Sequence, residues 1–288
     1  MKQLFLFGAA LTILAAAESC KGKTSYDKTK SGLMYKIISD EKNPVVKKGE
    51  FLKVHFQQKV RDTVLMSSFT SLPEYIRVDS VGPEYSPLEV FTMLRKGDSL
   101  VVAQITDTLE KKGMGQLPPF MKKGDHLLLT LRVLDVFKDE AAVEADREKE
   151  AEAFKEGEVK VLQQFMASKK INAQPAGKGV FVEIQQQGTG AVADTGKTVS
   201  VMYTGTLLDG TKFDSNRDTA MNPTKQPLTF TVGQQQMIPG FEQGVKLLSK
   251  GAKAKIYIPS MMGYGRRPMP GGKGYDHLIF DVEVVDIK

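Results

Sequence analysis

Apolar and polar residues alternate with a period of two along several short stretches near the C-terminus: Val199, Val201 and Tyr203; Ile256 and Ile258; and Leu278, Phe280, Val282 and Val284. Successive side chains of a strand point to opposite faces, so each stretch reads as a strand with one buried face. Asp209-Gly210 is a hairpin signal. One segment departs from this period. Between Gly240 and Lys250, Phe241, Val245, Leu247 and Leu248 recur at helical spacing, and Gly251 follows as a stop. The pattern over 199–288 therefore predicts an antiparallel sheet wrapped around one short helix.

The same order of patterns occurs earlier in the chain, between about residues 30 and 137. SGLMYKI from Ser31 parallels KGVFVEI from Lys178, and Gly49 parallels Gly196. Leu52, Val54 and Phe56 fall opposite Val199, Val201 and Tyr203, and LRKGDSLVVAQI parallels LSKGAKAKIYI. DHLLLTLRVLDVF from Asp125 parallels DHLIFDVEVVDI from Asp276. A shared strand pattern implies a shared fold, although alternation alone also arises in unrelated sheet proteins. The two copies are joined by a stretch rich in Ala, Glu, Lys and Gln with no Pro, which predicts a long charged helix. Phe154, Val161, Leu162, Phe165 and Met166 give its second half a partial apolar stripe. Such a helix reads as a spacer docking its C-terminal half on a neighbouring domain; the alternative is pairing with a second copy as a homodimer, against which no heptad persists. Gln174-Pro175-Ala176-Gly177 is expected to end the helix and begin the next domain.

The segments VSVMYTGTLLDGTKFDS, MIPGFEQGVKLLSKGAKAKIYIP, GYG and LIFDVEVVDI, in that order, resemble the FKBP-type peptidyl-prolyl isomerases over roughly the last hundred residues. The resemblance implies an α+β architecture of two tandem FKBP-like domains, each an antiparallel sheet around one short helix. It also implies that Tyr203, Phe213, Asp214, Met237, Ile238, Phe241, Tyr264 and Phe280 line one pocket. Phe241 would be the floor under a proline ring, Met237, Ile238, Tyr203 and Phe280 its walls, and Tyr264 a donor to a substrate carbonyl. Two positions depart from the family pattern: Phe241 stands where many eukaryotic members have Trp, and Leu228 where another aromatic is usual. Both keep an apolar wall, so isomerase activity is expected while macrolide inhibitors, the family's ligands, meet an altered surface.

In the first copy the pocket residues are not kept. The repeat alignment sets Phe56 against Tyr203, Met66-Ser67 against Phe213-Asp214 and Leu129 against Phe280. It finds no counterpart of MIPGF around Pro83 to Pro87 and none of Gly263-Tyr264-Gly265 near Glu110 and Lys111. The expected organisation is a signal peptide over 1–19, a tether over 20–29, a non-catalytic FKBP-like domain over 30–137, a helical linker over 138–172 and a catalytic domain over 173–288.

Rotating an X-Pro bond faces a barrier of about 18–20 kcal/mol, set by amide resonance, and exchanges no heavy-atom bond. The chemistry therefore calls for no nucleophile, metal or cofactor. His55, His126 and His277 show no ligand spacing, and the last two read as repeat-related structural positions. Asp214 has no proton to remove, so it reads either as part of the pocket's polar network or as a turn residue beside Ser215 and Asn216. Tyr203 and Phe280 equally suit plain core packing. Arg266 and Arg267, in a Gly/Pro-rich loop after Tyr264, are candidate contacts for acidic clients or a solvated face.

A chain of 288 residues, 41% apolar, has room for two ordinary domains and is too polar to cross a membrane repeatedly. Its net charge of +6 is dispersed, without the basic-aromatic interleaving of a nucleic-acid surface. At the N-terminus, Lys2, an apolar run from Leu4 to Leu14 and Ala15–Ala17 read as a bacterial export signal. Cys20 is the chain's one cysteine, which excludes an internal disulfide and suits acylation into a lipid anchor on a membrane facing the periplasm. Against that, Glu18 and the missing leucine are unusual for such a site, and cleavage after Ala17 would give a soluble periplasmic protein. Two functions follow: isomerisation of X-Pro bonds in exported, proline-containing polypeptides, or non-enzymatic holding of extended segments.

Overall fold

The computed structural model describes residues 25–79, 83–113 and 119–288. The expected export signal and Cys20 lie outside the described residues. The chain divides into two compact units, 1–147 and 148–288.

In the first unit the strands are β1 (Asp27–Lys28), β2 (Met34–Ile38), β3 (Phe51–Val60), β4 (Thr63–Ser67), β5 (Glu74–Arg77), β6 (Ser99–Ile105) and β7 (His126–Phe137). A 3-10 helix spans Pro87–Met93 and a short α1 spans Thr106–Lys111. The sheet is antiparallel in the order β1-β2-β6-β7-β3-β4, and β5 shares the free side of β3 with β4. The 30-residue helix α2 (Glu140–Lys169) follows. Its opening turns belong to this unit, where Val143 is buried and Asp146 receives both the Lys53 ammonium at 2.6 Å and the Tyr75 hydroxyl at 2.6 Å.

The second unit begins inside α2 and continues with β8 (Gln174–Gly177), β9 (Val180–Gln186), β10 (Thr189–Val192), β11 (Thr198–Leu207), β12 (Lys212–Ser215) and β13 (Leu228–Thr231). Helix α3 (Pro239–Val245) precedes β14 (Ser249–Lys250), β15 (Lys253–Ile258) and β16 (Leu278–Ile287). The main sheet runs β8-β9-β15-β16-β11-β12 with β13 beside β12 on β11, which is the order of the first sheet strand for strand. Small features match as well. Gly49 and Gly196 each donate to the residue just after the paired strand, Val78 and Val232, and Gly97 and Gly251 each donate to a residue within the last strand of their unit, Val133 of β7 and Val284 of β16. The two units are copies of one fold.

On β11, Val199, Val201 and Leu207 face the core and Thr198, Ser200, Thr204 and Thr206 face away, as a period of two requires. Helix α3 closes over that core by burying Phe241 and Val245, four residues apart. It lies very close to β15 because it carries glycines on that side: a Cβ at Gly240 would come 2.3 Å from Ile258, and one at Gly244 2.4 Å from Ile256.

Several expectations are corrected. The helix predicted to reach Lys250 stops at Val245, because Ser249 and Lys250 pair with Val192 and Thr189 instead. Helix α2 ends at Lys169, ahead of Gln174–Gly177, which form an edge strand; Pro175 is tolerated there because an edge leaves one side unpaired. Val161 is 45% exposed, so the stripe of α2 excludes it, while Leu162 and Met166 are buried against Tyr257. The first unit does have a counterpart of α3: the 3-10 helix at Pro87, whose Leu94 N–H donates to Phe91 as Leu248 donates to Val245.

Candidate functional site

The strands of the second unit bring an aromatic cluster to one end of the sheet. Gly205, on β11, faces Phe280 of β16 on one side and Asp214 of β12 on the other. A Cβ at Gly205 would lie 2.6 Å from the Phe213 ring and 3.1 Å from the Phe280 ring, so the absence of a side chain makes room for both. Phe241 then packs edge-on against Phe280 at 5.0 Å between ring centres, Phe213 meets Phe280 at 5.6 Å, and Tyr203 meets Phe280 at 5.9 Å. The two contacts of Phe280 with Phe241 and Phe213 are edge-to-face, pairing ring edges with ring faces, while Tyr203 is tilted against Phe280.

A pocket of about 50 Å³ opens over this cluster, lined by Tyr203, Asp214, Leu228, Met237, Ile238, Phe241, Tyr264 and Phe280. Phe241 and Phe280, 2% and 4% exposed, form the buried base; the other members are half-buried around the opening. Phe213 does not line the pocket: it stands behind, edge-on to Tyr264 at 6.3 Å, and supports it. Arg266 and Arg267 are exposed on the loop that follows.

The polar groups are few and ordered. The Tyr203 hydroxyl donates to Asp214 Oδ2 at 2.7 Å. Burial and that bond raise the Tyr203 pKa well above the ordinary tyrosine value, so the phenol stays neutral and remains a donor. Burial, followed by the nearby Asp214 charge, also raises Tyr264. Asn216, 3% exposed, accepts from the Tyr203 N–H at 2.6 Å and donates to the carbonyls of Val201 and Gln226 at 2.9 and 3.1 Å. It locks the segment after β12 onto β11, and so fixes Asp214. Glu242, on α3, accepts from the Gly233 N–H at 3.0 Å and ties the helix to the end of β13. The sequence marks Asn216 only as a turn neighbour of Asp214 and gives Gly205 and Glu242 no role; the T-G-T triplet inside an alternating strand is the available signal for Gly205.

The first unit presents the same framework without the site. Gln58 faces Leu129 and Met66, as Gly205 faces Phe280 and Asp214. The counterpart of Phe213-Asp214 is therefore Leu65-Met66, one residue earlier than the repeat alignment placed it. The turn is one residue shorter: three residues separate Val60 from Val64, and four separate Leu207 from Lys212. The bonding confirms this register, since the Phe56 N–H donates to Ser68 Oγ as the Tyr203 N–H donates to Asn216. With a side chain at Gln58 and no acid at Met66, neither the ring stack nor the carboxylate can form.

A sequence profile of the FKBP-type peptidyl-prolyl cis-trans isomerases matches residues 190–285. An FK506-binding protein of Neisseria meningitidis serogroup B is 43% identical over 111 residues, which are 38% of this chain and 96% of that one. The chain belongs to the FKBP-type peptidyl-prolyl cis-trans isomerase family. FK506-binding protein 4 of Emericella nidulans is 38% identical over 111 residues, 38% of this chain, but the match spans only 22% of that longer relative. The crystal structure of FkpA from Escherichia coli, at 31% identity, covers 51% of this chain and 69% of that one with a TM-score of 0.39. No helix among the described residues is long and apolar enough to cross a membrane.

Proposed function

We propose that the second unit is a peptidyl-prolyl cis-trans isomerase acting on proline-containing segments of exported polypeptides. The observation that carries this reading is the pocket over Phe241: a small apolar recess with a neutral phenol at its rim and one oriented carboxylate. A planar amide is more polar than a twisted one, so an apolar recess favours the twisted form, and selective binding of that form is catalysis in itself. Lowering the barrier by about 5.5 kcal/mol accelerates rotation roughly ten-thousandfold. In this reading the proline ring rests on Phe241 between Met237, Ile238 and Phe280, and Tyr264 donates to a substrate carbonyl. Macrolides enter the same recess, more weakly than in members with Trp at the floor, because Phe241 and Leu228 offer less ring surface. The first unit holds or positions clients and takes no part in the rotation. The chain is exported and anchored through an acylated Cys20.

The test is a protease-free isomerisation assay of the full chain on short proline peptides, with Tyr264→Phe and Phe241→Leu beside it. Activity in the wild type that falls in both variants is expected. A wild-type chain that leaves the uncatalysed rate unchanged but suppresses aggregation of an unfolded client would replace the enzyme with a non-catalytic holdase.

A further inference from the structure

Helix α2 carries an acid in the middle of its apolar stripe: Glu158 lies four residues after Phe154 and four before Leu162. Charged residues are seldom so deeply buried without partners, yet Glu158 is 4% exposed. Its carboxylate takes two backbone donors, the Ser260 N–H on Oε1 at 2.8 Å and the Met261 N–H on Oε2 at 3.2 Å. Those residues open the 3-10 turn Ser260–Met262, which leads through Gly263 directly to Tyr264. The far end of the same loop is held by the same helix. Phe154 packs edge-on against Tyr275 at 5.2 Å, and the His277 Nε2 lies 3.3 Å from the Glu158 carbonyl oxygen. The two ends are in turn joined, since the Ser260 carbonyl accepts from the Gly265 N–H and the Gly265 carbonyl from the Tyr275 N–H.

We infer that Glu158 is a positioning residue for the pocket: with Phe154 it clamps the loop 260–277 from beneath and thereby sets where Tyr264 stands over Phe241. The helix that supplies the clamp lies outside the segment 190–285 that carries the family pattern, so this chain adds an outside support to the family's pocket. A carboxylate suits the task because it offers a separate acceptor oxygen to each of two adjacent N–H groups; an amide would turn one of those acceptors into a competing donor. The inference builds on the isomerase reading, in which Tyr264 contacts substrate.

The experiment measures kcat/KM for a short proline peptide and amide hydrogen exchange in the full chain, for Glu158→Ala and Glu158→Gln, each with Tyr264 intact and with Tyr264→Phe. Because the two sites act through one group, Glu158→Ala should lower kcat/KM roughly tenfold with Tyr264 present and less than about threefold in the Tyr264→Phe background. Glu158→Gln, which preserves shape and one acceptor, should show the same coupling in smaller measure and so covers the case in which Glu158→Ala does not fold. The amides of residues 260–265 should lose exchange protection while those of β15 and β16 keep theirs. Equal losses in both backgrounds, or a uniform loss of protection across the unit, would reduce Glu158 to a general packing residue and overturn the inference. Should the wild type prove inactive, the isomerase reading falls by itself, and unchanged protection at 260–265 would still sink the clamp.

Discussion

Tyr203 donates its hydroxyl proton to Asp214 across adjacent strands at 2.7 Å, and this one bond makes the carboxylate a fixed feature of the pocket rather than a solvated turn residue. Asp214→Ala removes the acceptor. A hydrogen bond to a charged, half-buried group is worth about 1–2 kcal/mol, so kcat/KM on proline peptides should fall roughly tenfold. Tyr203→Phe should show a loss of similar size, and the double variant little more than either, as a double-mutant cycle would record.

Gly205→Ala places a methyl group 2.6 Å from the Phe213 ring and 3.1 Å from the Phe280 ring, and both rings are buried. Overpacking of this kind costs about 1–3 kcal/mol, which urea denaturation would detect as a lower midpoint at unchanged slope. Since Phe213 backs Tyr264, activity should decline in the protein that remains folded.

Alkaline pH should weaken the second unit through two phenols. Tyr203 and Tyr257 are both raised well above the ordinary tyrosine value, chiefly by burial and then by hydrogen bonds to Asp214 and Glu183. Above about pH 10 the unfolded chain releases these protons while the folded chain retains them, so stability falls as pH rises beyond that point; below it this contribution is fully present. Denaturation midpoints between pH 9 and 12, with tyrosinate absorbance followed alongside, should show the decline, and Tyr203→Phe should flatten it.

Leu129, 7% exposed at the place of Phe280, belongs to the core of the first unit. Leu129→Ala should destabilise that unit by about 2–4 kcal/mol and leave kcat/KM on short peptides unchanged. A fall in rate at a temperature where both units stay folded would give the first unit a part in the reaction.

Cys20→Ser should abolish metabolic lipid labelling and release the protein from the membrane fraction. An unchanged membrane fraction would count against acylation at Cys20, and a wild-type protein recovered wholly in the soluble fraction would favour the form cleaved after Ala17.

Local pattern carried a large part of this protein. The period of two in VSVMYTGTL and LIFDVEVVDI marks β11 and β16 because alternation is a property of neighbouring residues, and the repeat was legible because both copies keep the same core positions. The order of the aromatic motifs was readable for the same reason. Distances in space were not. The helical spacing over 240–250 could not reveal that Ser249 and Lys250 find a strand partner in β10, and a fixed sequence offset could not register the shorter turn that moves Leu65-Met66 into the place of Phe213-Asp214. Glu158 shows the limit most clearly. By composition it is one more charge on a charged helix, yet the fold brings it to two N–H groups about a hundred residues further along. The sequence by itself determined that the long alternating stretches such as β11 and β16 are strands, which face of each is apolar and which segments repeat, because those follow from side-chain periodicity. Only the tertiary structure decided which ring stands over which glycine, and which buried carboxylate satisfies which backbone donors, because both depend on partners that the chain brings together from afar.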